Sequence, residues 1–491
     1  MRENQIINSI PNWAWMMLLF AFALGVRLLH LTSTDIAGDE PFSIFMAQFN
    51  VPDIVSHLSK DNSPPLFEII LHYYMLVVGD SDWILRLLPA LFSALIPLTV
   101  FLIGKRHFNL QVGILASLLT IFSIYQIRFA HEIRVYSLFS LLTATSLLFF
   151  LNGLQHRETF RNWVGLILVN VLLLYAHYTS VYILFVQVIC VLIFVPPRNW
   201  KVPIMAYGLT GLIYLPYVLV LLTRLGEVSE SGSWVPKPGW GEIYGNINLL
   251  LNSKFTTLAV IAIVLIGLGV RKFRVREAIN EAFSTRSGFV VLLWFAVPYV
   301  LMFVVSMSFL PMFMDRYILY LSVPLFLVVA WFVDLIWKQS RFRWAGVALL
   351  IAASVFTTNL NPPNNRNIKA AAQHLKNLRD KGSEVYVCPE MFRLAVAFHL
   401  DREMFSLVDS ESPMRKLDSA LASNGFRFVH QVNHINTNQD LVYMDAASTF
   451  VYPDNQILAH LQDEMVLVDQ FHHHEIFDIY VFKAFGKGVV E

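Results

Sequence analysis

Eleven apolar stretches, most of them long enough to cross a bilayer, leave this 491-residue chain few ways to fold. A membrane core takes about 20 apolar residues as a helix, and such stretches fall near 13–31, 83–103, 111–127, 136–151, 163–177, 180–195, 202–222, 255–270, 288–306, 317–337 and 344–358. Lipid offers no hydrogen bonds to bare backbone, so runs of this kind fold as helices. With 56% apolar and only 14% charged residues, the chain is far from a soluble composition, where about 25% are charged. The expected fold is a multispanning α-helical membrane protein of about 11 spans, with about 11 to 13 allowed. The first stretch is too long for the apolar core of a signal peptide and no small-residue cleavage site follows it, so it reads as a retained span. The shorter stretch 65–78 carries Glu68 and His72 and reads as an interfacial or re-entrant helix in a large first outer loop.

Orientation follows from where the basic residues gather. Lys105 and Arg106, Arg157 and Arg161, Arg198 and Lys201, the cluster Arg271, Lys272, Arg274, Arg276 and Arg286, and then Lys338, Arg341 and Arg343 occupy alternate loops. The positive-inside tendency assigns those loops to the cytoplasm, and an odd number of spans puts the tail outside. The outer side then receives 32–82, the turn 128–135, residues 178–179, the loop 223–254, the turn 307–316 and the chain after 358. The tail changes character. Residues 367–380 have helical periodicity, Gly382 stops the helix, and 384–388, 441–444 and 476–482 read as strands. This predicts a small C-terminal extracytoplasmic α/β domain over 359–491 behind a transmembrane domain over 1–358. No glycine-rich phosphate fingerprint occurs in it. His472, His473 and His474 are consecutive, and neighbours on a strand point to opposite faces, so a solvated edge is expected there in place of a metal site. Cys190 and Cys388 do not make a disulfide framework. The net charge of +1 identifies no partner, and no nucleic acid is expected.

Carboxylates beside a membrane are costly unless they bind, pair or catalyse. Asp39 and Glu40 stand together just past the first stretch, and Asp61-Asn62-Ser63-Pro64-Pro65-Leu66 follows on the same side. Adjacent acids in a partly desolvated cleft take different roles, because each shifts the other's ionisation. The ordinary alternative for Asp39 is an N-cap for a helix over 41–49. Five outer-side arginines, Arg86, Arg128, Arg134, Arg224 and Arg316, go against the orientation rule. Each could snorkel at a helix end; with Asp39, Glu40, Asp61 and Glu132 they suggest a polar cavity that holds a phosphate. Arg128 and Glu132, Glu132 and Tyr136, and His57 and Asp61 stand four apart, the spacing of neighbours on a helix, although the last pair could equally cap a turn before Pro64-Pro65. His177 and Tyr178 could bind sugar or a divalent ion, or be structural. The loop from Gly226 to Gly241, with Ser229, Ser231, Gly232, Ser233 and Trp234, suits a sugar-stacking lid and an uninvolved surface loop equally.

In order and in topological side, Ala37-Gly38-Asp39-Glu40-Pro41, the run from Asp61 to Leu66, Asp82-Trp83-Ile84-Leu85-Arg86-Leu87-Leu88-Pro89-Ala90, the run from Tyr125 to Ser137, and Asp315-Arg316-Tyr317 form a distinctive set. Together they resemble the dolichyl-phosphate-mannose protein mannosyltransferase superfamily, including its bacterial aminoarabinose transferase type, within the membrane-embedded C class of glycosyltransferases. The resemblance covers the membrane part well and the tail in outline. It implies transfer of a sugar, with inversion, from a polyprenyl-phosphate carrier in the bilayer to an acceptor hydroxyl or phosphate on the outer face. It also implies Asp39 as general base and Arg86 as an arginine near the lipid phosphate. Arg134 and Arg316, with Tyr317 beside it, are candidate further cations, since a guanidinium grips phosphate oxygens in a fork. His57, Asp61, Glu132, Tyr136 and His177 complete the candidate substrate-binding set. Glu40 would orient the acceptor, contact the carrier's sugar or phosphate, or help ligate a metal. No required cofactor is expected, and a divalent metal stays open because branches of the class differ. Protein hydroxyls, lipid A or another envelope glycan are all compatible acceptors, and the short loops suggest a bacterial plasma membrane. A polytopic transporter or flippase, or a non-catalytic lipid or glycan receptor, would share the composition; the former should show repeated halves and helices broken near the midplane.

Overall fold

The structure, a computed structural model, describes residues 10–61, 63–155, 160–231, 235–271, 285–337, 343–361, 364, 366–406, 411–473 and 476–485. Asn62, Arg157, Gly232, Ser233, Trp234, Lys272, Arg274, Arg276, Lys338, Arg341 and His474 lie outside the described residues. The chain divides into two compact units. One comprises Met1–Leu31, Val55–Ile70 and Val77–Asn361, the other Thr32–Ile54, Leu71–Leu76 and Pro362–Glu491.

The first unit is helical, and its architecture is that of a multispanning membrane protein. The apolar stretches fold as Asn12–Leu28, Asp82–His107, Leu110–Ile121 with Ile124–Ala130, Tyr136–Gln155, Phe160–Ala176, Ser180–Phe194, Lys201–Ser231, Lys254–Arg271, Arg286–Ser308, Asp315–Trp337 and Arg343–Thr357. Among the described residues, five helices are long and apolar enough to cross a bilayer, and seven if each of two bent pairs is one span. The stretch 65–78 is the helix Leu66–Val78, of 13 residues.

One helix break is satisfied from another. Leu110–Ile121 and Ile124–Ala130 meet at 57°, and Gly241–Leu250 and Lys254–Gly269 at 85°. At the second break Asn252 has a φ of 71°, a left-handed conformation that Asn tolerates better than most residues. Its side chain reaches the first break, accepting from the Ile124 amide (2.9 Å) and donating to the Phe122 carbonyl (2.7 Å). Thr358 donates to the same carbonyl (2.8 Å). Irregular backbone at membrane depth persists only where protein groups satisfy it in this way.

Arg27 is fully buried beside the first break. Its guanidinium donates to Ser93 Oγ (3.2 Å) and to the carbonyls of Ile121 (2.7 Å) and Thr120 (2.9 Å). Those carbonyls end a helix, where the dipole favours a cation, so one side chain joins three helices. Ser146, Asn170 and Gln187 close a buried ring of bonds at 2.8, 2.8 and 2.9 Å between three further helices, the polar glue that lipid rewards. The pair Asp82–His107 and Leu110–Ile121 packs backbone to backbone: a Cβ at Gly104 would fall 2.5 Å from the Gly113 Cα.

The second unit carries a five-stranded sheet. Strands β1 (Glu384–Cys388), β2 (Phe426–Phe428), β3 (Leu441–Asp445), β4 (Met465–His473) and β5 (Phe477–Ala484) are ordered β2-β1-β3-β5-β4. β1 runs parallel to β2 and β3, whereas β5 runs antiparallel to β3 and β4. Helix Ile368–Arg379, β1, β3 and β5 fall where the sequence places them, and β2 and β4 are additional. On β4, His472 pairs with Asp478 (2.7 Å) and His473 with His374 (2.9 Å), as alternate faces require.

The helix Glu40–Met46 from the first outer loop belongs to this unit and packs on Arg393–Leu400. Asp35 accepts from Asn364 Nδ2 (3.1 Å) and from the Lys369 amide (2.9 Å), and the His399 ring nitrogen lies 2.8 Å from the Ile36 carbonyl.

Asn252→Ala removes two hydrogen bonds between the breaks and puts alanine in left-handed backbone, and it should cost about 2–4 kcal/mol. Thermal unfolding of the detergent-solubilised protein measures this; an unchanged midpoint would refute the role of Asn252 in holding the first break.

Candidate active site

The conspicuous acid pair lies in the second unit, where the chain turns at Gly38 (φ 62°) into Glu40–Met46. The helix expected over 41–49 runs instead from Glu40 to Met46. Asp39 occupies its N-cap position, but with helical angles (φ −84°, ψ −5°) and no side-chain capping bond. Capping needs extended backbone to swing the carboxylate over the first turn. The capping alternative therefore fails, and Asp39 is exposed. Glu40, by contrast, is fully buried. Its Oε2 accepts from the Ala37 amide (3.2 Å) and pairs with Arg366, which also donates to the Ala37 carbonyl (3.4 Å). Glu40 thus clamps the loop that presents Asp39. Arg366 was missed in the sequence.

The arginines lie in the first unit. Arg86 is 1% exposed and donates to the Leu31 carbonyl (3.1 Å). Arg134 is 8% exposed, donates to Ser63 Oγ (3.4 Å), and lies 3.8 Å from the buried carboxylate of Glu68. Glu68 is a second residue that sequence reasoning left outside the site; its signal was a charge in an apolar helix. Arg134 and Arg316 are both within electrostatic range of Tyr136 and His177, and Glu132 is within range of Tyr136. His177 stacks on Phe139 (centroids 5.0 Å apart, 28°) and stands edge-on to Tyr317 at 5.2 Å. Its Nδ1 accepts from the Thr179 amide (3.2 Å), which leaves Nε2 as the N–H of the neutral ring. The Arg316 guanidinium lies over the Tyr317 ring at 5.6 Å. Glu132, Arg134, Tyr136, His177, Arg316 and Tyr317 are therefore brought together: two cations beside a floor of rings.

Other spacings do not survive. Arg128 pairs with Asp315 (3.6 Å) on the surface; helix Ile124–Ala130 ends before Glu132, so four residues no longer mean one turn. Glu132 likewise precedes the helix that Tyr136 opens. His57 ends helix Val51–Leu58 and Asp61 lies in the turn after it, its amide donating to Leu58 (3.1 Å). Arg224 donates to the Ser59 carbonyl of that turn (3.1 Å). Among the described residues no three His, Cys, Asp or Glu side chains converge as a metal site.

The resemblance read from the motifs is met by a family match over part of the chain and by solved structures of the same fold. Residues 62–223 match the family model described as dolichyl-phosphate-mannose-protein mannosyltransferase. The chain is similar to ArnT from Cupriavidus metallidurans in the apo state, with a TM-score of 0.62 and 13% identity over 95% of this chain and 98% of that one. The same protein bound to undecaprenyl phosphate superposes with a TM-score of 0.59 and 12% identity over the same shares, 95% and 98%. The archaeal oligosaccharyltransferase AglB from Archaeoglobus fulgidus, in complex with an inhibitory peptide and a dolichol-phosphate, gives a TM-score of 0.51 and 10% identity over 88% of this chain and 69% of that one. No curated protein matches the chain in sequence.

Arg366→Gln leaves the buried Glu40 carboxylate without its guanidinium. Because Arg366 is 27% exposed, the expected loss is toward the low side for a buried pair, about 2 kcal/mol. Thermal unfolding and proteolysis within 32–54 would show it; equal resistance in variant and wild type would remove the clamp from the account.

Proposed function

We propose that this protein transfers a sugar from a polyprenyl-phosphate carrier to an acceptor hydroxyl on the outer face of a bacterial plasma membrane. The observation that carries the reading is that Arg86 and Arg134 are guanidiniums buried within the helical unit, the first on the Leu31 carbonyl and the second beside Glu68. Both lie within the stretch that matches the mannosyltransferase family. The undecaprenyl phosphate of one structural relative and the dolichol-phosphate of another support a lipid phosphate as the carrier.

In the proposed reaction the acceptor oxygen attacks the anomeric carbon while the bond from that carbon to the phosphate oxygen breaks. The electron pair leaves with the polyprenyl phosphate, and Asp39 takes the hydroxyl proton, which a poor nucleophile must begin to lose in the transition state. A single displacement inverts the anomeric configuration. Negative charge grows on the departing phosphate, and Arg86, Arg134 and Arg316 stabilise it as preorganised cations. Tyr136, His177 and Tyr317 offer ring faces to the sugar, Glu132 accepts from its hydroxyls, and His57 and Asp61 line the rim. Glu40 acts through the loop that it holds.

Asp39→Asn should lower turnover by about 100-fold or more while binding of undecaprenyl phosphate is kept; unchanged turnover would overturn the assignment. In a deletion strain, mass spectrometry of envelope glycolipids and secreted glycoproteins should reveal the loss of one defined sugar, naming donor and acceptor together. Activity of the purified protein should persist in EDTA. Complete loss there, restored by manganese or magnesium, would show that a metal does work here assigned to the arginines.

A further inference from the structure

The parallel strands β2, β1 and β3 end on one edge of the C-terminal sheet. The chain leaves β1 toward β2 on one side and leaves β3 toward β4 on the other, so the loops part between them. In open α/β sheets ligands bind outside the carboxyl ends of the strands at such a divergence. A cavity of about 480 Å³ lies here, lined by His430, Gln431 and Asn433 after β2 and by Tyr452, Asp454, Asn455 and Gln456 after β3. The loop after β1 joins them through Glu390, whose carboxylate accepts from Tyr452 Oη (3.1 Å) and lies 3.4 Å from His430 Nδ1.

The lining defines the ligand. Among the described residues no lysine or arginine faces this cavity, so it does not suit an anion. Gln431, Asn433 and Gln456 are exposed amides, which donate and accept together. The rings of His430 and Tyr452 stand 6.2 Å apart at 35°, and His434 adds a third at 5.4 Å from His430. Phe450, on the same loop as Tyr452, is 89% exposed. Flat rings beside paired amides match the apolar C–H face and equatorial hydroxyls of a pyranose. The floor is preorganised: Asn455 Nδ2 donates to Ser448 Oγ (2.6 Å), Asn455 Oδ1 accepts from the Ile457 amide (3.0 Å), and Ser448 Oγ donates to Asp445 (2.9 Å). Burial pushes the Cys388 thiol of this floor up to about 11, so it is a neutral packing group.

We propose that this loop edge is a binding site for a neutral saccharide, with His430 and Tyr452 as ring faces and Gln431, Asn433 and Gln456 as hydrogen-bonding amides. That the saccharide belongs to the acceptor rests on the transferase reading; the binding itself does not.

The test is saturation-transfer NMR on the full chain in a detergent without sugar headgroups. The probes are mannobiose, cellobiose and diacetylchitobiose, with glucose 6-phosphate as the anionic control. Transfer to at least one neutral disaccharide, and none to the phosphate, is expected. Asn433→Ala and Gln456→Ala, both exposed and outside the buried network, should each weaken the affinity about fivefold, the weight of one hydrogen bond. Tyr452→Ala should abolish transfer. Equal affinity in all three variants, absence of transfer to every neutral disaccharide, or equal transfer to glucose 6-phosphate would overturn the proposal. Binding by Asp39→Asn separates the two readings: that variant should still bind the disaccharide, and if it also keeps turnover, the catalytic assignment fails while this site stands.

Discussion

A guanidinium inside a membrane protein must be met by oxygen, and the helical unit is organised around that requirement. Arg27 finds its acceptors in the carbonyls of Thr120 and Ile121, which are open because a helix breaks there. That break would itself be intolerable in lipid, where each orphaned backbone group costs several kilocalories. Asn252 and Thr358 satisfy it, and Asn252 does so from a second break. Arg27, Asn252 and Thr358 form one bonded set around the first break. The same requirement holds Arg86 against Leu31 and Arg134 against Glu68 and Ser63. These contacts hold the guanidiniums in place within the packed helices.

The loop with the candidate base is built on a different principle. Glu40 is buried and gripped by Arg366, Asp35 by Asn364 and the Lys369 amide, and Ile36 by His399. Residues 32–54, which follow the first apolar helix, are thereby part of the C-terminal unit. A tail that looks like an appendage in the sequence supplies the rigidity behind Asp39, whose own carboxylate stays exposed. The two neighbouring acids thus differ in setting: Glu40 is buried against Arg366, and Asp39 is exposed.

Particular residues show where sequence reasoning reaches. Arg134, Tyr136, His177, Arg316 and Tyr317 were named from the sequence and lie near one another in the fold, because charges and rings at the ends of apolar stretches are local signals. The expected pairing of Arg128 with Glu132 failed because four-residue spacing means proximity only while the helix continues, and this one stops at Ala130. Glu68 and Arg366 went unassigned because the partner that gives each its place, Arg134 and Glu40, is distant in the chain. The short strand β2 and the exposed strand β4 carry little apolar pattern to read.

What the sequence by itself determined is what its solvent dictates. Long apolar stretches in lipid must be helices, since no other form satisfies their backbone, and a polar tail with alternating β-formers must fold apart from them. Only the tertiary structure decided which groups answer which. Glu40 and Arg366 are 326 residues apart, Arg27 and Ile121 94, and Arg86 and Leu31 55. No local pattern encodes such pairs; they exist because a buried charge has to find its complement wherever the packed chain brings one within reach.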